Sequence, residues 1–585
     1  MESERLELYR RGLEPLPAWQ LVWPLYGAGF ENLGQGGRPI RAARPTCGPD
    51  EILVRHDAVG LCFSDLKVIR AGQSHPRVYD DMRSKPVILG HEIALTVVAV
   101  GANRRGTFQV GQRHGVQPDV FYKGRSLAMG YALPGGLQQY NVLGPEILDG
   151  DEGCYLLPLE PRQGYAEAAL AEPWACVEAA YRIEYRRGPK PTGVAWLAGV
   201  PGAGRYQLGR WLEGGHPRAI VLTGVPASLE RALRAQAAAL GISLIEAHGL
   251  APDAYPQAAA AAGVAAFDDV ILLGPHGARS IAAAMALTAA GGALILASAE
   301  PLPEPAAVDV GRLHYDRILL GGTAGPDVAA GYRPPACELK AGGVLWVIGG
   351  AGPMGHMHIQ RALQLESGRP RRVIVSDLLA PRLAVVRRKF GPLARRNDVD
   401  LVTLVEPELS REAFQARMSE LTDGRGPDDI VVLAPVADVV ARAFGFLAPG
   451  GTLNIFAGLN RGTLATLDLN GVRDERQLRL CGSSGSTIAD LRYVLAKSLA
   501  GTLATGQAVA AVSGLEGALA GLQGMAAQRF TGKVVIYPQA VDLPLTTLEE
   551  MPRTMPTVAA RLGEGPVWTN EAEEELLRCY VARDG

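Results

Sequence analysis

The chain has 585 residues, 48% of them apolar and 20% charged, and a formal net charge of −2. That length exceeds what one hydrophobic core supports, and the near-neutral charge offers no electrostatic case for nucleic acid or an anionic membrane surface. No apolar run of about 18 residues marks a membrane span, the start at Met1–Arg5 does not read as a signal peptide, and the seven cysteines form no Cys-x-x-Cys pair, so a cytoplasmic protein with reduced thiols is expected.

From about 15 to 185 the chain is rich in Gly and Pro, with short alternating stretches such as Glu51–His56 and Val97–Val100. That pattern predicts a β-rich domain with irregular loops. It contains Gly60-Leu61-Cys62-Phe63-Ser64-Asp65 and then Leu89-Gly90-His91-Glu92. Cys62, His91 and Glu92 are of the types that hold a catalytic zinc, which takes three protein ligands and keeps a position open. Zinc answers the hard step of alcohol oxidation, loss of a proton at neutral pH. Taken singly, Cys62 reads as a small buried hydrophobe and His91–Glu92 as a surface pair. His56, His114, His356 and His358 lack a partner at ligand spacing and are read as structural.

Further along, the chain repeats itself. Gly193–Leu197 parallels Gly343–Val347, and Phe267–Leu273 parallels Pro427–Leu433. Gly291–Leu296 parallels Gly450–Ile455, and Ile318–Thr323 parallels Leu478–Ser483. Stretches of helical character, Ser280–Ala290 and Ala437–Leu447, lie between the apolar runs. Strand, glycine turn, helix and strand in repetition predict two tandem parallel α/β domains. The expected division is 1–187, 188–338, 339–490 and a return segment with C-terminal extension, 491–585.

Only the second copy has the parts that bind a dinucleotide. Gly350-Ala351-Gly352-Pro353-Met354-Gly355 follows an apolar strand and opens a helix near Met354, and Asp377 ends the next strand, 22 residues after Gly355. Glycines allow close approach of the pyrophosphate to a helix N-terminus, and the acid binds the ribose diol. An acid there favours NAD, while Arg382 nearby leaves room for NADP. Ala434, Ala457 and Gly458 follow successive strands and are expected beside the nicotinamide. In the first copy Val200 replaces Gly350, Gly204 comes one residue early, and Gly224 stands in place of Asp377. It is read as a scaffold without ligand.

Cys-x-Ser-Asp, Gly-His-Glu and a nucleotide unit ending in Asp together resemble the zinc-containing medium-chain dehydrogenases. Val110–Arg113, Gly135–Tyr140 and Ala168–Pro173 resemble further motifs of that family. The 351–355 turn, Phe456–Gly458 and Gly482–Ser486 resemble its sorbitol dehydrogenase branch, and within that the L-sorbose-1-phosphate reductase group. The resemblance covers about 45–187 and 339–537. It implies a GroES-like catalytic domain with zinc on Cys62, His91 and Glu92. Glu172 would approach the metal or its water, Ser64 would relay the alcohol proton, and Asp65 would fix the imidazole tautomer. The implied reaction is hydride transfer between a secondary alcohol or polyol, free or phosphorylated, and NAD(P). Phe63 replaces a small residue of the family, and the four-cysteine structural-zinc loop is absent from 117–136.

A zinc-free quinone-type reductase and a non-enzymatic scaffold or nucleotide sensor are the alternatives. Relatives dimerise through the edges of their nucleotide domains. The first repeat is therefore expected to stand in for a partner subunit, through pairing of 291–296 with 450–455, and further homo-oligomers stay open.

Overall fold

The computed structural model describes residues 2–201, 203–249 and 251–581. Met1, Gly202, Leu250 and residues 582–585 lie outside them.

The N-terminal domain is built on Ile52–Gly60, a strand buried along its whole length because packing covers both faces. Glu92–Val100 pairs antiparallel with it on one side. On the other side comes a strand from the far end of the chain, Lys533–Tyr537, which pairs Val535 with Gly60 and Ile536 with Val59. Val509–Gly514 then pairs parallel with Lys533–Tyr537. Both repeats are thus inserted between the parts of one sheet.

The first repeat contains β1 (Val194–Gly199), β2 (Ala219–Thr223), β3 (Ser243–Glu246), β4 (Phe267–Leu273), β5 (Thr288–Ala297) and β6 (Leu319–Thr323). The second contains β7 (Val344–Ile348), β8 (Arg372–Asp377), β9 (Asp400–Val405), β10 (Asp429–Val432), β11 (Thr452–Ile455) and β12 (Arg479–Gly482). Each is a six-stranded parallel sheet, ordered β3-β2-β1-β4-β5-β6 and β9-β8-β7-β10-β11-β12. This is the doubly wound order, with its topological switch beside the first strand. The continuous apolar runs follow from strands buried on both faces.

The likeness between copies extends to single bonds. Lys190 Nζ meets Asp268 at 2.7 Å and Lys340 Nζ meets Asp428 at 2.5 Å. The backbone N–H groups of Lys190 and Lys340 donate to Asp269 and Asp429, each at 2.8 Å. The indoles of Trp196 and Trp346 donate to Thr223 and Ser376, each at 3.0 Å. Two unrelated domains would not share three such contacts at matching positions.

One difference decides what the copies can bind. The second copy has α4 (Pro353–Gln364) after β7, whereas no helix is formed between β1 and β2 among the described residues. Residues 200–218 are rich in Gly and Pro, which disfavour helix. Tyr206, Leu208, Trp211 and Leu212 are buried in the place the helix would cover. The expected helix Ser280–Ala290 is also shorter, Ala278–Ala286, because Thr288 already begins β5.

The repeats meet, but not through 291–296 and 450–455. Those residues lie in β5 and β11, which are hydrogen-bonded on both sides within their own sheets. An interior strand has no free edge to offer. The outermost strands β6 and β12 face each other instead. Beside them Ala306–Asp309 pairs antiparallel with Leu464–Leu467, from Ala306 opposite Leu467 to Asp309 opposite Leu464. These are equivalent segments of the two copies, so the contact is self-complementary, as in a two-fold dimer.

The terminal extensions, for which the sequence suggests no role, close the back of the N-terminal domain. Glu573 of the last helix accepts the backbone N–H groups of Tyr165 and Ala166 at 2.5 and 2.7 Å and the Tyr537 hydroxyl at 2.8 Å. Tyr9 donates to Asp57 at 2.8 Å and lies 3.4 Å under the buried Arg55 guanidinium.

The paired aspartates yield a stability prediction. Asp269 is satisfied by Arg186 and Tyr332 as well as by backbone. Asp429 has only the Lys340 N–H, and burial pushes its carboxyl up to about 7, with nearby Asp428 and Glu338 adding to the rise. A carboxyl raised in the folded state favours folding below its unfolded value and loses that contribution as pH rises through about 7. Asp429→Asn is therefore expected to raise Tm by about 2–4 °C at pH 8 and by clearly less at pH 5, as read by thermal melts.

Candidate active site

Cys62 is the N-cap of α1 (Phe63–Ala71). Asp65, three residues on, accepts the Cys62 N–H at 2.8 Å and closes a capping box. The helix start therefore fixes the thiol and presents Ser64 beside it. Ser64 Oγ lies 3.0 Å from Cys62 Sγ and 3.3 Å from His91 Nε2. His91 and Glu92 come from the loop and strand opposite. The ligand atoms of Cys62, His91 and Glu92 lie within 4.8 Å of one another.

Two of those groups carry buried atoms with no hydrogen-bond partner, His91 Nδ1 and Glu92 Oε2. Asp65 Oδ1 stands 3.6 Å from His91 Nδ1, an ion-pair distance beyond hydrogen-bond length, and accepts the Gly90 N–H at 3.2 Å. Asp65 thus acts here chiefly on backbone, and its expected hold on the imidazole is a charge contact. Glu172 is buried on α2 (Ala171–Tyr181), accepting a 3.7 Å contact from Cys176, and stands apart from the close trio. Burial pushes its carboxyl up to about 7 against the pull of His91.

Sequence inspection misses Lys533. Its ammonium is paired with Glu92 and donates to the Leu61 carbonyl at 3.4 Å, all within the core. Burial opposes its charge, but Cys62 and Glu92 carry it above the usual lysine range. Burial also pushes the Cys62 thiol up, yet Lys533 and His91 outweigh this and bring it to about 5. The only hint in the chain is a lysine opening an apolar strand, which is unremarkable alone.

Across the cleft, the glycine turn of the second repeat is tightly made. A Cβ at Gly350 would stand 2.5 Å from Val375, and one at Gly355 would run into the Gly350 carbonyl. At Gly352 the same atom would meet nothing nearer than Arg382 at 3.5 Å, so this residue faces the cleft. The buried Asp377 carboxylate accepts N–H groups of Ala351 at 3.1 Å and Leu378 at 2.8 Å. Arg382 spans the turn, donating to the Ala351 carbonyl at 3.1 Å and to Gln528 at 3.2 Å. Pro353 and Met354 form the first turn of α4. The Ala434 loop adjoins the end of β7, a Cβ at Gly349 lying 3.4 Å from the Ala434 nitrogen, while Ala457 donates its N–H to the Val432 carbonyl of β10 at 2.9 Å.

The corresponding crevice in the first repeat is closed. A Cβ at Gly274 would meet Val200 at 2.5 Å and Ala203 at 3.2 Å, so the valine that replaces the glycine fills the switch point. Of the other histidines, His358 bonds Tyr181 at 2.7 Å and His56 bonds the Gln138 carbonyl at 2.9 Å. His356 packs 5.1 Å from the Phe390 ring and His114 6.0 Å from Phe108. All four are buried away from the trio.

The Lys533–Cys62 coupling is testable on chelator-treated protein. Iodoacetamide labelling of Cys62, with Cys62→Ser as blank, is expected to show an apparent pKa near 5, as its surroundings impose. In Lys533→Gln that midpoint should move up towards the ordinary thiol value, about 8.5. An unmoved midpoint would assign the low value to other groups.

Comparison with known proteins agrees with this architecture. Residues 48–148 match the alcohol dehydrogenase GroES-like domain. L-sorbose 1-phosphate reductase of Klebsiella pneumoniae is 24% identical over 91% of this chain and 92% of its own. Mannitol-1-phosphate 5-dehydrogenase of Aliivibrio fischeri is 23% identical over 92% and 93%. The uncharacterised YggP of Escherichia coli is 33% identical over 39% of this chain, a match spanning 57% of that relative. The crystal structure of an alcohol dehydrogenase from Thermotoga maritima shares the fold, with a TM-score of 0.51 at 15% identity over 89% of this chain and all of that one. The chain thus carries an alcohol dehydrogenase GroES-like domain at 48–148 and is similar along nearly its whole length to polyol- and sugar-phosphate dehydrogenases, oxidoreductases of the alcohol dehydrogenase type.

Proposed function

We propose that the protein is a zinc-dependent, nicotinamide-linked dehydrogenase of secondary alcohols of the polyol or sugar-alcohol class. The observation that carries this reading is a thiol, an imidazole and a carboxylate within 4.8 Å of one another, in a chain whose second repeat keeps an intact dinucleotide turn. The donor set suits zinc, which favours Cys, His and carboxylate. The buried Glu92 Oε2, which has no hydrogen-bond partner, supports a centre that the protein alone does not satisfy. Cys62, His91 and Glu92 would hold the ion, and Glu172, close enough to feel the charges of His91 and Cys62, would act on it or on its water. When bound, zinc lowers the pKa of a coordinated alcohol.

The chain's own residues supply the rest. Ser64, within 3.3 Å of both Cys62 and His91, is placed to accept the substrate hydroxyl proton and pass it outward. Glu172 can hold or release a proton near neutrality, because burial sets its carboxyl at about 7. The N–H groups at the start of α4 would receive the pyrophosphate, Asp377 the ribose diol, and Ala434, Ala457 and Gly458 would border the nicotinamide. Asp377 favours NAD, and Arg382 on the turn gives tolerance for NADP. The relatives named for mannitol 1-phosphate and L-sorbose 1-phosphate support a polyol or its phosphate as substrate.

The first repeat serves as an internal partner. The antiparallel contact of 306–309 with 464–467 and the facing edges β6 and β12 support that role. Deletion of 188–338 is expected to leave a chain that self-associates, and a folded monomer in sedimentation would overturn it.

Cys62→Ser is expected to lose bound zinc by elemental analysis and to reduce kcat/KM at least about a thousandfold, with NADH binding by fluorescence retained. Retained activity without zinc would overturn the reading. Asp377→Ala should weaken NAD binding about tenfold or more, by loss of charge-assisted hydrogen bonds to the ribose.

A further inference from the structure

The degenerate repeat reaches into the mouth of the active-site cleft. Its helix α3 (Val310–Asp316) lies against the loop of the second repeat that contains Gly458. His314 Nδ1 is 3.0 Å from the Ile455 carbonyl, and Asp316 accepts Arg461 at 2.9 Å. Tyr315, between these two fastened neighbours, has the Arg461 guanidinium 5.0 Å over its ring. A Cβ at Gly458 would lie 3.4 Å from the Tyr315 hydroxyl and 3.0 Å from Lys67 Nζ. Two polar heads from different domains therefore converge on a position where the loop has no side chain.

Lys67 is half-buried and makes no ion pair with a carboxylate among the described residues. It sits on α1 one turn beyond Ser64, about 5 Å along the helix axis. A half-buried cation without a carboxylate partner among the described residues, next to a hydroxyl donor, suits an anionic group. That group must belong to a molecule whose reacting carbon is one helical turn away, beside Ser64.

Resting on the dehydrogenase reading above, we propose that Lys67 and Tyr315 form a subsite for a phosphoryl group at the far end of the polyol. On this view the degenerate repeat contributes a specificity-determining residue to its neighbour's active site. The chemistry is one ammonium charge and one phenolic donor on phosphoryl oxygens, with Gly458 leaving them space. A bulkier residue there would push both away.

The test compares D-mannitol 1-phosphate with D-mannitol, and D-sorbitol 6-phosphate with D-sorbitol, using NAD and the zinc-loaded enzyme. The ratio of kcat/KM for the phosphorylated over the free substrate is expected to fall about tenfold or more in Lys67→Gln and about threefold in Tyr315→Phe, as loss of a charged and a neutral hydrogen bond implies. Lys67→Arg should restore part of it. An unchanged ratio, or a rise in the KM for NAD that is equal for both substrates, would overturn the proposal, the latter by assigning the pair to the cofactor. Calorimetric titration with inorganic phosphate is independent of turnover. Binding by the wild type that Lys67→Gln abolishes supports the subsite even if no polyol is oxidised, in which case the dehydrogenase reading alone fails. Absence of phosphate binding by the wild type would overturn the subsite.

Discussion

The buried ion pair between Lys533 and Glu92 joins the two ends of the chain at the point where the chemistry is placed. Lys533 opens the strand that completes the N-terminal sheet, and Glu92 opens the strand on the other side of Ile52–Gly60. Both charges are out of solvent. Such a pair stabilises little in net terms, but removing one member leaves an uncompensated buried charge that costs about 3–5 kcal/mol. Register follows from it. With Val535 opposite Gly60, Lys533 can reach only Glu92 and the backbone of Leu61. The thiol of Cys62 is next in line, and its low proton affinity is a consequence of the same ammonium. The trio is complete only once a strand from beyond both repeats has docked.

That topology explains how a second repeat can be carried without disturbing the first. Both copies lie within one long excursion from the sheet, so adding a copy lengthens the excursion and leaves the docking of Lys533–Tyr537 unchanged. What the added copy must do is cover an edge. A parallel sheet ending in an unpaired strand invites association, and β12 would be such an edge if β6 did not face it. The first repeat has kept the parts that serve this contact, the 306–309 segment, α3 and β6. It has lost those that serve a dinucleotide. Val200 closes the switch point, the described residues of 200–218 form no helix, and no carboxylate follows β2. Covering the edge and binding a ligand are separate demands on one fold, and only the first is still met.

Much of this is legible in the chain because the relevant chemistry is local. Cys62, Ser64 and Asp65 fall within one helix start, Gly350–Gly355 within one turn, and Asp377 at the end of the next strand, so spacing alone places them. Duplication is legible for the same reason, since Lys190 and Lys340 precede their strands at the same distance. Lys533 is not, being 441 residues from Glu92 in sequence. Tyr315 is not, because it acts across the contact between copies. The pairing of 291–296 with 450–455 rests, in sequence, on the expectation that relatives dimerise through the edges of their nucleotide domains. Apolar character on both sides, however, marks an interior strand, and an interior strand has no edge to lend.

The charge balance of the centre ties these features together. Around Cys62 stand the carboxylates of Asp65, Glu92 and Glu172, against Lys533 and His91 as cations. Burial opposes a charge on His91, yet Asp65 and the Cys62 thiol raise its proton affinity well above the ordinary value. The protein alone therefore holds a proton on the imidazole, between sulfur and carboxylate. A ligand set that must otherwise be neutralised by a proton is one that a divalent cation can occupy by displacing it. Lys533 acts on the thiol in the opposite sense, its fixed ammonium joining His91 in bringing Cys62 low against burial. That contribution comes from one lysine on a strand that follows both repeats.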